Sequence, residues 1–124
     1  MRTIYASTFT FAMREVDEEF HALDKTIADA AKSIPGYLGD EAWENPSLGL
    51  ISNVYYWDSM EALQALMTHP AHLEAMRRQA EWLNGYHVVI AQVVGSYGDG
   101  SIAHPLADIQ QPWLGRDAAA VLNR

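Results

Sequence analysis

From Thr3 to Met13 the side chains alternate, with Tyr5, Ser7, Phe9 and Phe11 on one side and Ile4, Ala6, Thr8 and Thr10 on the other. A period of two rich in β-formers predicts a strand. The period then lengthens. Val16, Phe20, Leu23, Ile27, Ala30, Ala31 and Ile34 recur at helical spacing, with Asp17, Glu18, Asp24, Lys25 and Lys32 assigned to the opposite side. That pattern predicts an amphipathic helix over 16–34, ended by Pro35-Gly36. A strand over 37–44 and another over 49–57 flank Asn45-Pro46-Ser47, which is turn chemistry and makes the two a hairpin. Asp58 is the expected N-cap of the next helix, with Glu61 completing a capping box. That helix breaks near Thr68-His69-Pro70, with His69 at the cap of the resumed segment, and Asn84-Gly85 ends it after Leu83. Val- and Ile-rich Tyr86 to Tyr97 is the last predicted strand.

The order β-α-β-β-α-β predicts an α+β, ferredoxin-like fold with one antiparallel sheet and helices on one face. The other face should be polar in a monomer. Here Leu50, Val54 and Tyr56 oppose Ile51, Tyr55 and Trp57, and the last strand is apolar on both sides. Both faces call for burial, which predicts a homodimer whose sheets pack into a dimeric α/β barrel. Residues 1–98 form the expected domain. Residues 99–124 form a C-terminal extension whose Ile102, Leu106, Ile109, Trp113 and Leu114 are too apolar for a solvated linker. It is expected to lie on its own domain or on the partner subunit.

Composition narrows the function. Eight Lys and Arg against sixteen Asp and Glu leave a formal charge of -8. That argues against a nucleic-acid or anionic-membrane partner, since both require a basic patch. The absence of cysteine removes disulfides, thiolate nucleophiles and Cys-ligated metals. No signal-peptide core and no membrane-length apolar run is visible, so a cytoplasmic protein is the expectation. No G-x-G-x-x-G dinucleotide motif is present.

"IPGYLGDEAWENP", "VYYWDSMEALQAL", "HPAHLEAMRRQAEW" and the Ile90-Ala91-Gln92-Val93 strand together resemble the antibiotic biosynthesis monooxygenase family. The likeness spans roughly residues 1–98, and it implies the same dimeric barrel. Its haem-degrading branch uses an Asn, a Trp and an axial His at positions that fall on Ser7, Leu66 and Ala75, so haem is disfavoured as a cofactor. Its cofactor-free branch oxidises aromatic polyketide anthrones to quinones with dioxygen alone. That resemblance implies site roles for Asn53, Trp57 and Arg77, while Leu63 and Trp43 stand where the branch has a Tyr and a His.

The residues themselves leave each role open. Asn53 shares a strand face with Tyr55 and Trp57, and its amide suits a developing oxyanion as well as a buried backbone partner. Trp57 can stack on a flat substrate or pack beneath the next helix. Arg77 can hold an anionic intermediate or pair with Glu74 and Glu81 at helical spacing. His69 and His72 sit three apart but lack a recognisable third ligand, so no metal site is expected. His72 is instead a candidate general base. His21 and His87 are expected to be structural, and His104 is a candidate cover for a neighbouring subunit's pocket. The expected activity is a small monooxygenase taking an aromatic, phenolic substrate and dioxygen without a cofactor. Phe9, Trp43, Tyr55, Leu63 and Leu66 line the expected pocket. The alternatives are a polyketide cyclase or isomerase using His72 or Asp58, and a non-catalytic binder of haem or another small molecule.

Overall fold

The computed structural model describes residues 3–109. Strand β1 (Ile4–Met13) leads into helix α1 (Glu18–Ser33), followed by β2 (Tyr37–Asn45) and β3 (Leu50–Trp57). Two short helices, α2 (Met60–Met67) and α3 (Pro70–Trp82), precede β4 (Leu83–Val93). The strands form one sheet in the order β2-β3-β1-β4, and each neighbouring pair is antiparallel. This is the ferredoxin-like α+β arrangement that the periodicities predict.

Several boundaries move for local reasons. Asp17 caps α1 by accepting from the Phe20 N–H, and Glu18 and Glu19 follow in the first turn, where negative charge suits the helix dipole. The cap of α2 is Ser59 and not Asp58: the Ser59 hydroxyl accepts from the Ala62 N–H at 3.1 Å. Asp58 instead donates its backbone N–H to the Gly36 carbonyl at 2.8 Å, which ties the end of β3 to the turn before β2. Asn84-Gly85 does not end a helix but lies inside β4. There Gly85 has φ +153° and pairs with Ala12 beside an irregularity in the β1–β4 register.

The helices cover one sheet face. Against them Trp57, Ala31, Ala62, Leu63 and Leu66 form one buried cluster, and Phe11, Trp82 and Leu83 form a second. Burial on this scale is the main force holding the helices on the sheet. On the opposite face His104 donates from Nε2 to Glu41 at 2.8 Å while its Nδ1 accepts from the Leu106 N–H at 3.0 Å. A Cβ added to Gly39 (φ +138°) would meet Pro105 at 2.7 Å, so that glycine permits the close approach. His104 to Leu106 therefore lie against the chain's own sheet, and Leu106 is buried. The expectation for the extension's remainder, including Trp113 and Leu114, lies outside the described residues.

Candidate active site

A cavity of about 210 Å³ lies between the helices and the sheet face that they cover. Strand alternation carries Asn53, Tyr55 and Trp57 to that face, and the register sets Phe9 beside Asn53. The floor is aromatic: the Tyr55 and Trp57 rings stack with centroids 6.0 Å apart at 18°, and Phe9 stacks on Phe11 at 5.1 Å. Trp57 is fully buried and donates its indole N–H to the Ser7 hydroxyl at 3.2 Å. Leu63 and Leu66 of α2 form part of the wall. Burial raises the Tyr55 phenol to about 12, with the Asp40 and Asp24 charges adding to the effect, so it stays protonated at neutral pH.

His72 reaches the same cavity from α3, one position in a helical stripe continued by Ala75, Met76 and Gln79. Its Nδ1 is buried and has no hydrogen-bond partner among the described residues. Burial holds the imidazole below its ordinary 6.5; the Met67 carbonyl works the other way, and the nearby His69 ring adds to the lowering. The ring is therefore neutral at pH 7.

Two expected pocket residues lie elsewhere. Trp43 is 64% exposed on the opposite sheet face, where its indole N–H bonds Glu41 at 2.6 Å. The cause is an extra residue in β2: Tyr37 pairs with Trp57 but Gly39 pairs with Tyr56, so every later side chain changes face. Arg77 falls off the α3 stripe, and its guanidinium turns outward to pair with Glu74. His69 caps α3, its Nδ1 accepting from the Ala71 N–H at 3.1 Å. Among the described residues no three His, Asp or Glu side chains group to hold a metal ion. No helix among them is long and apolar enough to cross a membrane.

Asp24 enters the site unannounced by the sequence pattern. With Phe20, Leu23 and Ile27 it lines the cavity, while remaining exposed enough to sit at the rim. Burial raises its carboxyl above the ordinary value, and the neighbouring His21 opposes that rise. Position 24 flanks the apolar stripe of α1, so polarity alone assigns it to solvent. The usable signal was its spacing, four residues after Phe20 and three before Ile27.

No protein-family model matches the chain. The uncharacterized protein YqjZ of Bacillus subtilis is 30% identical over 90 residues, which cover 72% of this chain and 78% of that relative. Two solved structures share the architecture. One is SnoaB, a cofactor-independent oxygenase from Streptomyces nogalater, at TM-score 0.60 and 10% identity over 77% of this chain and 97% of that one. The other, from Nitrosomonas europaea, is provisionally described as an antibiotic biosynthesis monooxygenase; it has TM-score 0.62 and 11% identity over 76% of this chain and 93% of its own. The chain belongs to the family of YqjZ and is built on the ferredoxin-like fold of the antibiotic biosynthesis monooxygenases.

Proposed function

We propose that the protein is a small cofactor-independent monooxygenase that oxidises an aromatic, phenolic substrate with dioxygen. The observation that carries this reading is the neutral His72 imidazole on the wall of an apolar, ring-floored cavity. Such a base can take a proton from the activated carbon of an anthrone-like substrate. Asn53, which lines the same cavity, donates its amide to the oxyanion that forms, and Tyr55 supplies a stacking surface. The electron-rich carbanion passes one electron to dioxygen, and the radical pair combines to a hydroperoxide. Loss of water then leaves a new carbonyl: one oxygen atom of dioxygen stays in the product and the other departs as water, with the substrate supplying all the electrons. The common fold with a cofactor-independent oxygenase supports this assignment.

Oxygen uptake with an anthrone tests it. Wild type should consume dioxygen, and His72→Gln and Asn53→Ala should each lose on the order of 10²–10³ in rate. Equal turnover without oxygen would instead identify a cyclase or isomerase. Unchanged uptake in His72→Gln would remove the base from the mechanism.

We further propose a homodimer formed through the sheet face that the helices leave bare. Trp43 and Val89 on that face are 64% and 50% exposed, apolar side chains that a partner sheet would cover. A dimeric mass in light scattering at micromolar concentration is expected, and a monomeric one would refute the pairing.

A further inference from the structure

Among the described residues the cavity walls include no Lys or Arg. Asp24, His72 and the Tyr55 phenol are the titratable groups on them, and none brings a positive charge at neutral pH. The two arginines of α3 are turned elsewhere. Arg77 pairs with Glu74, and Arg78 lies over the Trp82 ring at 4.5 Å and pairs with Glu19 and Glu81. A carboxylate on the substrate would therefore lose its hydration and find no counter-ion. Asp24 adds a repulsive charge at the rim, and its field reaches into the site, since it contributes to raising the Tyr55 phenol.

We propose that Asp24 is a specificity-determining residue, through which the cavity selects uncharged phenolic aromatics over those that carry a carboxylate. The inference rests on the cavity being the substrate site, as argued above. The cavity volume is below the roughly 300–1,000 Å³ of sites for drug-sized ligands, which favours a compact ligand of fused aromatic rings. Discrimination of this kind works by repulsion as much as by fit. Apart from the proton taken up by His72, no charge on the described cavity walls compensates a substrate anion, so ionisation belongs to the reaction and not to binding.

The matched probes are 6-hydroxy-2-naphthoic acid and its methyl ester, titrated against tryptophan fluorescence at pH 8. Wild type should bind the ester more tightly than the acid by on the order of a hundredfold. Asp24→Asn should reduce that ratio about tenfold, and Asp24→Lys should reduce it further. Asp29→Asn changes net charge equally on the same helix, but off the cavity and paired with Lys25, and should leave the ratio as it is. Binding of the ester by the Asp24 variants shows that their cavity is intact. An unchanged ratio in Asp24→Asn, equal affinities in wild type, or the same shift in Asp29→Asn overturns the specificity role while leaving the cavity as the substrate site. Binding of neither probe to wild type overturns that site and the inference with it.

Discussion

Replacing Trp57 with Phe measures how much of that residue's work is packing. Its side chain is fully buried between Tyr37, Tyr55 and the α2 leucines, and its indole N–H is bonded to Ser7. The smaller ring gives up on the order of 40–60 Å² of buried surface, about 1–1.5 kcal/mol at roughly 25 cal/mol per Å². The lost hydrogen bond adds about 0.5–1.5 kcal/mol, because half-buried Ser7 can turn its hydroxyl to another partner. Together these amount to roughly 1.5–3 kcal/mol, or a fall of about 6–12 °C in Tm for a domain of this size. Ser7→Ala isolates the hydrogen bond and should cost about 1 kcal/mol. Urea titrations of wild type, both single variants and the double variant complete a cycle in which the Ser7 contribution vanishes once the indole is gone. A loss below about 1 kcal/mol in Trp57→Phe, or a full Ser7 effect persisting in the double variant, would refute this account of the core.

Three further outcomes follow from the same geometry. Gly36 has φ +103°, and an added Cβ would strike the Asp58 carboxyl and reach 2.8 Å from the Ala62 Cβ; Gly36→Ala should therefore lose at least about 2 kcal/mol in a urea titration. Arg77→Ala should change stability by less than about 0.5 kcal/mol and leave ester binding within twofold, because its exposed ion pair lies outside the cavity. The His72 imidazole is held below 6.5 in the folded protein, so between that lowered value and 6.5 the unfolded chain binds more protons. Its contribution is thus intact above 6.5, is lost as pH falls towards the folded value, and levels off below it. The stability difference between His72→Gln and wild type should shift in the variant's favour across that window, and a pH-independent difference would contradict the burial.

Much of this arrangement was legible in the chain. Alternation in β3 was enough to place Asn53, Tyr55 and Trp57 on one face, because a strand without a bulge keeps its period. The β2 assignment failed at Trp43, since the extra residue near Tyr37 leaves no mark in the hydrophobic pattern and reverses every face after it. Arg77 was carried by resemblance, whereas the helical stripe from His72 to Gln79 passes it by. Asp24 escaped notice because a carboxylate beside an apolar stripe reads as solvated until the opposing elements show a cavity there. The cap of α2 moved by one residue because Asp58 is engaged by Gly36 across the hairpin entry, a tertiary contact that local capping rules do not contain.

Isotope labelling tests the proposed oxygenation most directly. The purified protein, freed of metal by chelation, is given an anthrone under ¹⁸O₂, and the quinone is analysed by mass spectrometry. One ¹⁸O in the new carbonyl, with formation slowed on the order of 10²-fold or more in His72→Gln, is the predicted result. A quinone without label, or one formed at the same rate by the variant, would contradict it.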